Sequence, residues 1–143
     1  MSAETKAIAR RLIDEAFNGG NLDVVDELVS PEFVNHDAAL PEPTRGVEAA
    51  KASIAAYRAA FPDLRLTIEQ QVGEGEFVTT RWTGTGTHQG DLMGMAATGK
   101  QSTVTGITID RIVDGSFVES WTNWDTLGML QQLGVVPVLA TTA

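Results

Sequence analysis

Apolar positions recur at two different periods along this chain, and the period changes at Pro62. Before it, Ile8, Leu12 and Ala16 share one helical face, with Ala9, Ile13 and Phe17 beside them. This spacing predicts a first helix, opened by a Ser2 cap and closed at Gly19-Gly20. Asn21 is placed to cap a short second helix carrying Leu22, Val25, Leu28 and Val29, and Pro31 stops it. Val47, Ala50, Ile54, Tyr57 and Phe61 form the stripe of a third helix. Between the second and third helices, Phe33-Val34 is an apolar pair followed by the polar run Asn35-His36-Asp37. The segment from Leu40 to Gly46 is too rich in proline for a regular element and suits a cover over a pocket mouth.

After Pro62 the period becomes two. Leu64, Leu66 and Ile68 alternate with Arg65, Thr67 and Glu69, which predicts a half-buried strand. Gly73 to Glu76 is a turn, Phe77 to Thr87 a long strand rich in threonine and aromatics, and Gln101 to Val113 another. Asp114-Gly115 signals a hairpin leading into a last strand, Phe117 to Trp124. Asp125 then caps a short helix containing Leu127, Leu130 and Leu133. Helices first and strands afterwards indicate an α+β fold in one domain, residues 1–143. A strongly curved antiparallel sheet wrapped around the N-terminal helices encloses a cone, and a cone wider than its side chains fill keeps a pocket open at one end.

Composition narrows the function classes. Hydrophobic residues make up 43% of the chain, enough for a real core, and there is no cysteine, so thiolate catalysis, disulfides and cysteine-ligated zinc are excluded. The formal net charge of -9 opposes binding to phosphate backbones, so no nucleic-acid partner is expected. No apolar run has the length of a membrane span, and the polar start lacks the features of a signal peptide. The reading is a cytoplasmic protein with no membrane partner.

Several short motifs then stand in a characteristic order. They are Asn35-His36-Asp37, Phe61-Pro62-Asp63-Leu64, the run Arg81 to His88, Met93-Gly94, Thr98-Gly99-Lys100, Asp110 to Gly115, and Leu130 to Gly134. Together they resemble the SnoaL-like polyketide cyclases over nearly the whole chain. The resemblance implies the cone fold of ketosteroid isomerase and nuclear-transport-factor-like proteins, a homodimer formed through the sheet, and an apolar small molecule in the pocket. It also implies ring closure by aldol condensation with neither metal nor cofactor, an aspartate acting as base and a histidine polarising a carbonyl. Carried over position by position, Thr122 stands where those cyclases have the aspartate and Thr108 where they have the histidine, while Asn35 keeps their pocket asparagine. Threonine is no general base at neutral pH, so the aldol mechanism does not transfer as it stands.

The residues left as proton carriers are His36, Asp37, His88 and Asp110. Asn35, Trp82, Thr108, Thr122 and Trp124 are the candidate substrate contacts. Strand alternation puts Ser120 and Trp124 on the face of Thr122, with Trp121 on the other, towards an interface. It also puts Asp110 on the face of Thr108. No residues have a metal-ligand spacing, and Gly84-x-Gly86 reads as a bulge or bend rather than a phosphate loop. Three readings stay open: a cofactor-independent acid–base enzyme on an apolar oxygenated or polyketide-like substrate, a non-catalytic binder of an apolar ligand, and a cofactor-free hydroxylase-like relative.

Overall fold

The first helix forms as α1 (Ser2–Arg11) and then widens into π-helical turns over Leu12–Asn18. Two polar side chains fix its end. Arg58 donates Nη1–H to the carbonyls of Phe17 at 2.7 Å and Asn18 at 3.2 Å, which a helix terminus otherwise leaves unpaired. Asn18 donates Nδ2–H to the Leu66 carbonyl at 2.8 Å and accepts the Leu66 N–H at Oδ1 at 2.7 Å, so its amide stands in for a neighbouring strand at the sheet edge. These contacts belong to a computed structural model that describes residues 2–138. The other helices are α2 (Asp23–Leu28), α3 (Gly46–Ala60) and α4 (Thr126–Gln132). Asp125 caps α4 as expected, accepting the Gly128 N–H at 2.8 Å.

Six strands form one curved, unclosed sheet: β1 (Val29–Asp37), β2 (Thr44–Arg45), β3 (Arg65–Glu74), β4 (Phe77–Thr87), β5 (Gln101–Val113) and β6 (Ser116–Trp124). Their order is β2-β1-β6-β5-β4-β3. The α+β cone is therefore present, and the pairing is antiparallel except where β1 runs parallel to β6. The sequence pattern does not mark β1 as a strand. Its inward face carries Asn35 and Asp37, so it lacks the apolar alternation of a core strand, and Pro31 argues against a ladder. Pro31 lies where the β1–β6 register is irregular, between Val29 and Val34, a place a proline can occupy. The short β2 forms inside the proline-rich segment by pairing Arg45 with Val34.

Registers across the sheet put inward residues into rows. One row is Asn35, Ser120, Asp110 and Val78; the next is Asp37, Thr122, Thr108 and Thr80. A third joins Trp124, Gly106 and Trp82. Gly106 is required there, because a Cβ would come within 2.3 Å of the Trp82 ring. Gly86 serves Phe61 in the same way, at 2.9 Å. The β4–β5 register runs unbroken through Gly84-x-Gly86, so these glycines are seats for aromatic rings and not the bulge expected. The sheet irregularity on this side is in β3, between Ile68 and Gln70.

Two apolar clusters close the cone. Val25, Leu28, Phe33, Ile54, Ile112 and Phe117 belong to one, and Phe61, Leu92, Met129 and Leu133 to the other. The convex face is different. Val72 is 59% exposed, and Phe77, Ile107 and Ile109 are exposed too, beside Trp121. Gly106→Ala should push the Trp82 indole off its seat and lower stability by about 1–3 kcal/mol, as overpacking does. Urea denaturation measures this, and an unchanged midpoint would show that the ring does not rest on Gly106.

Candidate functional site

The concave face and the helices enclose a cavity of about 190 Å³, lined mainly by apolar side chains. Residues 8–17, read from periodicity as a packing stripe, line part of it through Ala9, Leu12, Ile13 and Phe17. Seven of the nine candidate residues reach it: Asn35, Asp37, Trp82, Thr108, Asp110, Thr122 and Trp124.

Four of them form a hydrogen-bonded chain. Trp82 donates Nε1–H to Thr108 Oγ1 at 3.1 Å. The Thr108 and Thr122 hydroxyls lie 3.4 Å apart, and Thr122 donates to Asn35 Oδ1 at 3.4 Å. The positions where the resemblance implies an acid–base pair thus hold a line of neutral polar groups.

Asp110 is one row further along. It is 7% exposed, and its Oδ1 accepts the Ser120 hydroxyl at 2.5 Å. Burial pushes its carboxyl up to about 7 from an ordinary 3.8, and the Ser120 hydrogen bond works against that rise. Asp37 is held differently. It accepts Trp124 Nε1–H at 3.2 and 3.4 Å and the Ala39 N–H at 2.8 Å. The Tyr57 ring meets Trp124 edge-on, and burial pushes its hydroxyl up to about 12, with the charge of Asp37 adding to the rise.

Neither histidine lines the cavity. Alternation along β1 sends Asn35 and Asp37 inward and His36 to the convex face. There His36 stacks on Trp121 and its Nε2 lies 2.7 Å from Glu119. His88 is fully buried behind Phe61, with Nδ1 accepting the Thr98 N–H at 3.2 Å, while Nε2 has no partner among the described residues. As placed, neither His36 nor His88 is among the residues that line the cavity. Among the described residues no three His, Cys, Asp or Glu side chains gather as a metal site would require. Sequence reasoning did not single out Ser120 as the partner of Asp110, or Tyr57 as a wall of the cavity. The strand register could have found the first. A helical stripe does not distinguish core from cavity wall, so nothing marked the second.

Residues 7–133 match the family model described as SnoaL-like polyketide cyclase. The aklanonic acid methyl ester cyclase of Streptomyces peucetius is 35% identical over 130 residues, 89% of this chain and 88% of that one. In structure, a proposed SnoaL-like polyketide cyclase of Jannaschia sp. CCS1 superposes with a TM-score of 0.87 at 25% identity, covering 95% of each chain. A proposed hydroxylase of Streptomyces galilaeus superposes with a TM-score of 0.84 at 29% identity, covering 99% of this chain and 87% of that one.

The raised Asp110 carboxyl makes folding depend on pH with a definite sign. Between about pH 4 and pH 7 the folded protein keeps a proton that the unfolded chain has released. Stability from this group therefore falls as pH rises through that window, by up to ~4 kcal/mol. Wild-type urea midpoints should decline relative to Asp110→Asn between pH 4.5 and 7.5 (roughly the window of the linkage relation). Parallel profiles for the two proteins would refute the burial effect.

Proposed function

The chain belongs to the SnoaL-like polyketide cyclase family, and from that premise we propose that it is a proton-transfer enzyme acting on an apolar, carbonyl-bearing, polyketide-like substrate. The observation that carries this reading is Asp110, a carboxyl on the cavity wall whose burial brings its pKa to about 7. A group poised there is present in both forms at neutral pH, so it can take a proton from carbon beside a carbonyl and return it elsewhere. The negative charge that develops on the carbonyl oxygen calls for a hydrogen-bond donor, and the Asn35 amide on the cavity wall can supply one. Proton movement of this kind calls for no electron carrier and no metal. Ring closure, isomerisation and dehydration all share this first step.

The exposed apolar residues of the convex sheet, among them Phe77 and Ile109, support a homodimer joined through that face. His36, stacked on Trp121, belongs to this surface and not to the chemistry. One observation favours a second reading, ligand binding without turnover: the lining is mainly apolar and, as described, contains no histidine.

The test incubates the protein with an aromatic polyketide methyl ester and follows the product by mass spectrometry. Asp110→Asn should lower turnover by about 10²–10⁴-fold while ligand still binds, as expected for removing a general acid–base group. His36→Ala should leave turnover intact. Full activity in Asp110→Asn overturns the assignment, and binding without any product in the wild type favours the second reading. Ile109→Lys should convert a dimer to a monomer in light scattering, and an unchanged mass would refute the interface.

A further inference from the structure

The hydrogen-bonded chain across the cavity has a direction, which its Asn35 end dictates and its Trp82 end supports. The Trp82 indole has a donor and no acceptor. Asn35 Oδ1 has acceptors and no donor. Thr122 spends its one hydroxyl proton on Asn35 Oδ1, so it must accept from Thr108, which in turn accepts from Trp82. Both threonine protons are thereby used along the chain. The Asn35 amide is held with its oxygen occupied, and its NH₂ has no side-chain or backbone partner among the described residues.

We propose that Trp82 is a positioning residue that favours this polarity by occupying Thr108 Oγ1 and turning its proton towards Thr122, so that the Asn35 NH₂ is the donor presented to the ligand and the cavity favours a carbonyl, which only accepts, over a hydroxyl, which brings a proton that needs its own partner. The inference rests on the reading of a carbonyl-bearing ligand and adds which group holds its oxygen. Asn35 and Asp110 flank Ser120 in one row of the sheet, so an oxygen bound at Asn35 lies on the row of the group assigned to move the proton, about two strand spacings, roughly 10 Å, across the sheet. The indole does this without entering the reaction. It acts through two threonines, which are hydroxyl groups where the resemblance implies an aspartate and a histidine. Without the indole N–H, Thr108 loses the donor that turns its own proton towards Thr122, and the reverse direction is no longer disfavoured. The Asn35 amide can then turn, donate to Thr122 and present its oxygen instead.

The experiment uses a matched pair of small probes, acetophenone and 1-phenylethanol, with affinities measured by NMR titration on the intact protein. A cavity of about 190 Å³ suits them, since one of ~150 Å³ takes benzene. The wild type should prefer the ketone by roughly fivefold to tenfold, the value of one well-made hydrogen bond. Trp82→Phe keeps an aromatic side chain and removes the indole N–H together with one ring, and it should bring the ratio close to one while both probes still bind. Thr108→Val interrupts the chain at its second member and should do the same. A purely structural role would weaken both probes alike and keep the ratio, which would overturn the proposal. So would a wild type without preference. If the ratio fails but Asp110→Asn still abolishes turnover, only this inference falls. If the wild type binds neither probe and turns over no carbonyl substrate, the reading beneath it falls too.

Discussion

The pairing of β1 with β6 decides which side chains become chemistry. It sets Asn35 opposite Ser120 and Asp37 opposite Thr122, and so puts an amide and a carboxylate inside the cone. A strand has a period of two, so a slip of one residue would exchange this pair for Val34 and His36. The packing of Val29 and Phe33 in the core, together with α3 against the strand, makes such a slip costly. Pro31 is tolerated because the ladder is already irregular where it stands. Everything polar in the site is then referred to this register, including the end of the chain that starts at Trp82.

A cavity is a region where a protein forgoes packing, and this one is kept open by groups that hold without filling. Arg58 and Asn18 tie the helix end to α3 and to β3 with hydrogen bonds. The helices are thereby anchored at the rim, which leaves the space between them and the sheet free. Gly86 and Gly106 let Phe61 and Trp82 lie close against the sheet. The burial of Asp110 works in the opposite direction and lowers stability at neutral pH. Two dry clusters at either end of the cone offset that loss. Reactive groups held at the expense of stability are what a functional site requires.

The elements that the sequence made legible are those whose burial follows a simple period. The long strands β4, β5 and β6, the third helix and the Asp125 cap appear as expected because each presents one apolar face or one unambiguous capping side chain. Strand β1 was hidden because its inward face is polar. The glycines of β4 read as a bend because a missing side chain and a broken ladder look alike in sequence. His36 followed two apolar residues and so suggested an inward position, yet its neighbours at one residue's distance, Asn35 and Asp37, are the ones that point in. For Asp110 and Trp124, alternation counted from Thr108 and Thr122, the positions that the resemblance marks, was enough, because their strands are regular and their registers unshifted within this stretch.

On the proposed reading, the same rows let the fold keep its pocket with the acid–base group one inward position along the strands. Thr122 and Thr108 are direct partners across β5 and β6, and Ser120 and Asp110 are the next inward pair along the same strands. Two residues along a strand is about 7 Å, enough to serve a different atom of one bound molecule. The carboxyl at the new place is more buried than one bordering open solvent, and burial is the change that brings a carboxyl's pKa towards neutrality. The vacated place does not stay inert. Two hydroxyls there link the Trp82 N–H to Asn35, which shares its row with Ser120 and Asp110. On that reading the two hydroxyls occupy one row and the carboxyl the next, within a single unshifted register of β5 and β6.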